Sequence, residues 1–219
     1  DGGIGDFTAA GVLAAEAAAL GADALALSPT HALFPADAAR HGPYSPSHRE
    51  FLNPLYADPA AVFGTRWAAA AEPEPAGGLV DWPRAADAKW RRLRALFDAV
   101  RDGALRDPRS RPAASYRRFC QEGGRSLADL ACFEAIQAGR KPEARYWRDW
   151  TDWPSPAARG LARFRRESRA QIDFFRFAQW LAAESLRAAQ EKALSAGMRI
   201  GLVADLAVGM DPGGAQAWS

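Results

Sequence analysis

Cysteine is scarce in this 219-residue sequence, which contains only Cys120 and Cys132. Two thiols cannot form the disulfide framework of a small secreted domain, so we expect both to be reduced and buried. No apolar run approaches the ~20 residues that a membrane-crossing helix needs, and the first residues lack the basic and apolar regions of a signal peptide. We therefore expect a cytoplasmic protein with no membrane partner.

An excess of charge of either sign is also absent. The 28 basic and 26 acidic residues leave a formal net charge of +2, so the pI near 8.7 reflects near-cancellation rather than a basic surface. Arginines do cluster at Arg117–Arg118 and at Arg163–Arg166, but acidic residues are interleaved with them, as is typical of solvated helix faces. The charge pattern argues against a nucleic-acid partner.

Large aliphatic side chains are few compared with alanine. The sequence contains 50 alanines, whereas isoleucine, leucine, valine and phenylalanine together number 40. Alanine has the highest intrinsic helix propensity, and the hydrophobic content of 48% is enough to bury a core. We expect a helix-rich globular chain.

Two short apolar segments near the ends of the chain predict β-strands, each preceded by a helix. The predicted order is helix 8–20, strand 24–28, helix 156–196 and strand 198–206. Thr8 is the expected N-cap of the first helix and Gly21 its stop signal. A repeated helix, glycine and strand order predicts two parallel neighbouring strands in an α/β fold.

The segment between these strands, about 170 residues long, is far longer than a minimal crossover, which predicts an inserted subdomain. We expect a long ordered loop over 29–80, ending in an exposed linker, Glu72–Gly78. Three helices are predicted to follow, over 81–101, 112–122 and 126–138, and Ser126 with Asp129 resembles a capping box for the third.

Three tryptophans, Trp147, Trp150 and Trp153, lie within seven residues of one another. Aromatic rings at a cleft can stack on sugars, but tryptophans near helix ends more often anchor a helical subdomain to its neighbour. We favour the packing interpretation.

Candidate nucleotide and metal sites are weak. Gly2-Gly3-Ile4-Gly5 has no predicted strand before it and an incomplete phosphate-loop pattern. His31, His41 and His48 are spaced by ten and seven residues, which matches no zinc pattern. Asp205 is more informative, because it ends the second predicted strand before a glycine-rich turn. At that position it is either a ligand-binding carboxylate or a loop cap.

Several blocks of sequence carry a family resemblance. They are Gly3–Phe7, Gly21–Leu25, Ser28–Pro35, Pro43–Ser47, Phe51–Tyr56 and Asp205–Gly209, with Gly213, Gly214 and Trp218 after them. In this order they resemble the bacterial 4-α-glucanotransferases, the amylomaltases or disproportionating enzymes. The helical insert adds little to the resemblance.

The resemblance implies a retaining α-glucan transferase on a (β/α)8 barrel that needs no cofactor and acts on maltooligosaccharides or α-glucan. By similarity, Tyr44 and Ser45 should contact sugar in the active cleft, and Asp205 should support the subsite where the bond breaks. His31 and Asn53 should shape the same loop.

The chain length limits how much of such a barrel is present. A complete barrel takes ~250 residues without insertions, so we expect a partial barrel of about two strands with a large, mainly helical insert. Its parts are a barrel segment at 1–57, a linker and helical insertion at 58–155, and a second barrel segment at 156–219. The remaining strands would be the partner of these two.

The chain also departs from the family pattern. The three catalytic carboxylates of the family belong to strands after the one carrying Asp205, so we expect no catalytic residue in this chain. Ala204 replaces the arginine that is typical before this aspartate. We therefore expect a fragment of a transferase that is inactive and aggregation-prone alone, with a non-catalytic glucan-binding module or a helical interaction domain as alternatives.

Overall fold

The computed structural model describes residues 3–67 and 79–219, so the predicted linker Glu72–Gly78 lies outside the described residues. Within them the chain forms seven α-helices and four short strands. The helices are α1 (Phe7–Ala19), α2 (Ala60–Phe63), α3 (Trp82–Val100), α4 (Arg111–Ala138), α5 (Leu161–Glu167), α6 (Arg169–Ser195) and α7 (Ala215–Trp218). The strands are β1 (Ala24–Leu27), β2 (His31–Ala32), β3 (His48–Leu52) and β4 (Gly201–Ala204).

The two predicted parallel strands are neighbours. β1 pairs with β4 in parallel register, from Ala24 opposite Gly201 to Leu27 opposite Ala204. The helices that precede them, α1 and α6, pack against each other. A Cβ atom on Gly11 of α1 would lie 3.1 Å from the Cα atom of Ala189 on α6, so the two helices meet at a residue without a side chain. The strand predicted over 198–206 is shorter than expected, because residues 205–214 form a loop.

The start of α1 differs from the prediction. Asp6 is the N-cap, since its Oδ1 accepts a hydrogen bond from the backbone N–H of Ala9 at 2.8 Å. The hydroxyl of Thr8 donates instead to the carboxylate of Asp58 at 2.7 Å. Aspartate and threonine are both good N-caps. Because the hydroxyl of Thr8 is bound to Asp58, Asp6 caps the helix. Gly21 ends the helix as predicted, with a left-handed φ of 93°.

The segment predicted as a loop over 29–80 contains a second, antiparallel sheet of β2 and β3. The backbone N–H of Ser47 donates to Ala32 O, and that of Asn53 donates to Thr30 O, both at 2.8 Å. β2 has only two residues and a bulge between them. An alternating pattern needs about four or more residues to be recognised, so the sequence did not predict this antiparallel sheet.

The three helices predicted over 81–138 are present in the predicted order, with one change. The two predicted helices, 112–122 and 126–138, are the two halves of α4, which breaks at Gly124 with φ 48° and ψ −132°. The predicted capping box at Ser126 is wrong. Its hydroxyl donates to Glu50 at 2.8 Å, and Asp129 accepts from Arg165 at 2.6 Å. α4 begins instead at the N-cap Ser110.

The main core is aromatic and lies where α4 and α6 pack together. Phe133, Phe177 and Trp180 are buried there, and each such side chain contributes about 1.5–3 kcal/mol through burial. The favoured packing role of the tryptophan-rich segment is confirmed for Trp150, which is buried beside Phe133 with ring centroids 5.4 Å apart. Trp153 packs on Phe164 in the same way.

The helix α6 also positions the strand that it precedes. The amide of Gln190 donates to Ile200 O at 3.0 Å, and its carbonyl accepts from Leu202 N at 2.6 Å. Gln190 therefore links α6 to β4. Within the described residues, none of the helices has both the length and the apolar character to cross a membrane.

Candidate functional site

The candidate site lies where β1 and β4 end. Because the strands are parallel, their carboxyl ends meet at one edge of the sheet, where ligands bind in open α/β sheets. Asp205 follows β4 directly, and residues 28–30 connect β1 to β2. A depression of about 630 Å³, counting the part open to solvent, lies beside the end of β1 and is lined by Leu27, Thr30, Pro43 and Tyr56 among others.

His31 fastens the loop that follows β4. Its Nε2 accepts a hydrogen bond from the backbone N–H of Ala207 at 3.1 Å, which requires a ring without a proton on that nitrogen. Burial, followed by the charge of Arg49, lowers the pKa of His31, although the carboxylate of Asp205 acts in the opposite direction. The hydrogen bond and the lowered pKa both favour the neutral ring of His31, which connects β2 to the loop after β4.

Arg49 makes a second connection to this loop. Its guanidinium donates to Val208 O at 3.0 Å, and its backbone N–H donates to the side-chain oxygen of Gln216 at 3.0 Å. Sequence reasoning missed Arg49, because these partners are 159 and 167 residues away. No local pattern signals such a contact.

Asp211 connects the same loop to the segment that contains Tyr44. Its backbone N–H donates to Pro46 O at 2.9 Å, and its carboxylate forms an ion pair with Arg40. Asp211 also accepts from the backbone N–H of Gly213 at 2.7 Å, which forms a tight turn. The guanidinium of Arg40 lies 3.5 Å from the centre of the Phe34 ring, so both sides of this ion pair are held in place.

Gly214 allows a close approach between the two segments. A Cβ atom at this position would lie 2.5 Å from the carbonyl oxygen of Ser47. Ser47 is buried, and its hydroxyl accepts from the N–H of Ala215 at 2.9 Å, while its carbonyl accepts from that of Gln216 at 2.9 Å. A residue larger than glycine at position 214 would therefore displace the Ser47 backbone.

Three of the predicted site residues are brought to this exposed region. Tyr44 is 63% exposed, and Ser45 and Asp205 are exposed as well. The carbonyl oxygen of Tyr44 lies 4.0 Å from the Cβ position of Gly209. The segment around Tyr44 and Ser45 (the Tyr44 segment) and the loop over residues 205–214 (the Asp205 loop) are about 160 residues apart in sequence. They therefore meet beyond the ends of the parallel strands.

Asn53 occupies a different environment. It is only 2% exposed, and its side-chain oxygen accepts from the N–H of Leu55 at 3.1 Å, which caps the 3₁₀ turn Pro54–Tyr56. Burial raises the pKa of Tyr56, and the backbone N–H of Tyr56 donates to Asn53 O at 3.1 Å. Asn53 thus shapes the wall of the depression from inside the protein.

The other two histidines serve packing. The ring of His41 stacks on Trp82 with centroids 4.8 Å apart, and His48 is buried with its ring against Phe51. In the part of the chain that the structure describes, no three His, Cys, Asp or Glu side chains are grouped so that they could hold a metal ion.

Comparison with known proteins gives a consistent result. The sequence pattern of one family, described as 4-alpha-glucanotransferase, matches residues 1–219. The chain is 34% identical over 250 residues to the 4-alpha-glucanotransferase of Mycobacterium tuberculosis and 27% identical over 241 residues to that of Haemophilus influenzae. Each alignment covers 99% of this chain but only 31% and 34% of the relative. The chain thus spans about a third of the length of the curated relatives it matches.

Two solved structures are similar to this chain over 99% of its length. Amylomaltase from Corynebacterium glutamicum has a TM-score of 0.70 and 29% sequence identity, and the match covers 29% of that chain. Amylomaltase from Streptococcus agalactiae in complex with acarbose has a TM-score of 0.74 and 17% identity, with 42% of that chain covered. At 17% identity the second likeness concerns the fold alone.

Proposed function

Because this chain belongs to the 4-alpha-glucanotransferase family, we propose that it is a segment of an enzyme that transfers α-1,4-glucan pieces between maltooligosaccharides. The observation that carries the proposal is the meeting of the Tyr44 segment and the Asp205 loop at the ends of two parallel strands. The family's retaining mechanism uses a carboxylate nucleophile and a carboxylic acid/base in two displacements. We assign no catalytic residue to this chain and give it a substrate-holding role.

The proposed fold is a part of a (β/α)8 barrel. β1 and β4 would be its second and third strands, the segments 1–57 and 156–219 would belong to the barrel, and 58–155 would be the linker and helical insertion. The parallel register of the strands and the helix packed before each of them support this assignment. Val203 and Leu206 are 43% and 65% exposed, and we propose that the remaining barrel strands cover this apolar edge.

The proposed sugar contacts follow from the exposed side chains. The ring of Tyr44 offers an apolar face for stacking on a glucose unit, and its hydroxyl offers a polar tip. Ser45 and Asp205 supply hydrogen-bonding groups for sugar hydroxyls. His31 and Asn53 hold the surrounding loops in place and act as positioning residues. No cofactor is invoked for any of these contacts.

A non-catalytic maltooligosaccharide-binding module is the second candidate function. It is favoured by one observation, that Tyr44, Ser45 and Asp205 are all accessible within this chain, so binding needs no further strand. For either function we further propose glycogen or starch as the polymeric substrate, and a cytoplasmic location.

The deciding experiment measures binding and transfer on the same preparation. Calorimetric titration of the chain with maltoheptaose is expected to give a dissociation constant of about 1 mM or lower. Tyr44→Ala should raise it about tenfold through the lost stacking face, since tenfold corresponds to ~1.4 kcal/mol. Tyr44→Phe, which retains the ring, is the matched control and should retain most of the affinity.

Incubation of the same chain with maltotriose tests for catalysis separately from glucan binding. We expect no disproportionation by this chain alone, and detectable transfer would show that catalytic groups were overlooked in it. Unchanged maltoheptaose affinity in Tyr44→Ala would refute the assigned site.

A further inference from the structure

A second cavity, away from the candidate glucan site, lies between α2, the beginning of α4 and the middle of α6. It contains about 1260 Å³ of space, counting the part open to solvent, and shares no lining residue with the Tyr44 and Asp205 region. The side chains that give it its chemistry are Arg111, Ser115 and Arg118 of α4 and Trp180, Glu184 and Arg187 of α6. We call it the arginine cavity.

The spacing of these residues explains why they share one cavity. Positions 111, 115 and 118 follow the i, i+4, i+7 pattern, so they lie on one face of α4. Positions 180, 184 and 187 follow the same pattern on α6. Two helix faces with polar and charged side chains therefore lie across the same space, although a helix-packing interface normally buries apolar residues.

The negative charge of Glu184, the acidic residue that lines the cavity, is compensated by its neighbours. Oε1 of Glu184 accepts from the hydroxyl of Ser115 at 2.7 Å, and Oε2 accepts from the guanidinium of Arg187 at 2.9 Å. The indole N–H of Trp180 donates to the hydroxyl of Ser115 at 3.1 Å. Arg187 also forms an ion pair with Glu191. This network forms one wall and, among the described residues that line the cavity, leaves no free carboxylate to repel an anion.

Arg111 and Arg118 differ from Arg187 in this respect. Neither forms an ion pair with any residue in the ranges 3–67 and 79–219, in contrast to Arg187. They are seven positions apart on α4, about 10 Å along its axis, so their flexible side chains can converge on one group between them. The first turn of α4 lines the same cavity, and the positive end of the helix dipole adds attraction for an anion there.

From this arrangement we propose that the arginine cavity binds a phosphoryl group, either as inorganic phosphate or as part of a sugar phosphate. A guanidinium presents N–H donors in a planar fork that matches the oxygens of a phosphate. Two unpaired guanidiniums would supply the charge that a phosphate dianion requires. The wall formed by Ser115, Glu184 and Arg187 would hold the cavity open without competing for the ligand.

Calorimetric titration at constant ionic strength tests this proposal with inorganic phosphate and with glucose 1-phosphate as separate probes. At least one probe should bind with a dissociation constant of about 1 mM or lower. The double variant Arg111→Gln, Arg118→Gln should weaken binding at least about tenfold, because charge-assisted hydrogen bonds are lost. Both arginines are exposed, so circular dichroism should report an unchanged fold.

The matched control is Arg117→Gln, which removes the same charge from the next position of α4 but not from the cavity lining. Its affinity for the probe should stay within about twofold of the wild type, since neighbouring helical positions point in different directions. Equal affinity for the two probes would identify the phosphoryl group as the ligand, and tighter binding of glucose 1-phosphate would identify a sugar phosphate.

Two results would overturn the proposal. One is the lack of saturable binding of either probe, and the other is a loss in Arg117→Gln as large as in the double variant, which would indicate general attraction to a basic helix. Maltoheptaose affinity should be unchanged in the double variant, so failure here is distinguishable from failure of the proposed glucan site.

Discussion

The imidazole of His31 accepts a hydrogen bond from the backbone N–H of Ala207, a residue 176 positions further along the chain. This bond joins the short β2 strand to the loop that follows β4. It exists only while Nε2 carries no proton, because a protonated ring has two donors and no acceptor. The arrangement of the Asp205 loop is therefore coupled to the protonation state of one histidine.

Acidification should loosen this loop. Because the native state lowers the pKa of His31 below its ordinary 6.5, the unfolded chain binds more protons at mildly acidic pH, and stability falls as pH falls below that value. Between about pH 7.5 and 5.5, we expect the free energy of unfolding to fall by about 1 kcal/mol more in the wild type than in His31→Gln. This difference corresponds to the contribution of one hydrogen bond. Urea denaturation at the two pH values measures this difference.

The glutamine variant is chosen because its side-chain oxygen can accept from Ala207 without titrating. The pKa of His48 is also lowered, chiefly by burial, but His48 is present in both proteins and its contribution cancels. Equal losses of stability in the two proteins would mean that His31 does not control the loop.

Substitution of Gly214 should separate the two segments that form the candidate site. In Gly214→Ala the new Cβ atom meets Ser47 backbone atoms at 2.5 and 2.6 Å, and backbone cannot move aside as a flexible side chain can. We expect the free energy of unfolding to fall by about 1–3 kcal/mol, as for other overpacked sites. Amide hydrogen exchange at Ala215, which donates to Ser47, should accelerate.

Gly209→Ala is the matched control in the same loop. The Cβ atom would lie 4.0 Å from the nearest atom, the carbonyl oxygen of Tyr44, and Gly209 is not among the glycines with positive φ. Its stability should remain within about 0.5 kcal/mol of the wild type. Comparable losses in both variants would show that the loop is intolerant of alanine in general and that the Ser47 contact is not special.

The sequence predicted the elements whose signals are local. The strands β1 and β4 are visible as apolar runs after glycine, and α3 is visible from its helical spacing of apolar residues. A carboxylate at a strand end before glycines is also a local pattern, and the functional role of Asp205 that it indicates stays a prediction. These features depend on residues within about one or two helical turns or a single strand.

The contacts that assemble the site could not be predicted in this way. Arg49 looks like any surface arginine until folding brings Val208 beside it. The buried role of Asn53 depends on a 3₁₀ turn that no periodicity reveals. At the start of α1, two good capping residues competed, and the choice depended on Asp58, which lies 50 positions from Thr8. Tertiary partners override local propensity in each case.

Glu134, a residue of α4, is buried in the protein core and should destabilise the protein at neutral pH. It is 1% exposed, and its two carboxylate oxygens have no hydrogen-bond partner among the described residues. Burial raises the pKa of Glu134 well above its ordinary value. Glu134→Met should therefore raise the free energy of unfolding at about pH 7 by about 1–3 kcal/mol, the usual cost of an unsatisfied buried polar group.

This gain should shrink at about pH 4, because the unfolded chain then also binds the proton that the native state retains. Glu122→Met, an exposed position on the same helix, should change stability by less than about 0.5 kcal/mol at either pH. A destabilised Glu134→Met would indicate that the carboxyl group has a favourable role in the core.

Lys89 should make the protein more stable in mild alkali. Its ammonium donates to Leu55 O at 2.7 Å and to Gly5 O, but burial lowers its pKa from 10.5 to about 8. Between these values the unfolded chain binds more protons than the native state, so stability rises with pH. Between about pH 7.5 and 9.5 the wild type should gain about 2 kcal/mol relative to Lys89→Met, by this linkage.

Comparison with a variant is necessary because other groups titrate in the same range. Burial raises the pKa of Cys120, Cys132 and Tyr56, so these groups make the protein less stable as pH rises. They are common to both proteins, and the difference in unfolding free energy isolates Lys89. Lys192→Met removes an exposed lysine and should leave the pH dependence unchanged. If Lys89→Met and the wild type have parallel pH profiles, the ammonium of Lys89 is not desolvated in the native state.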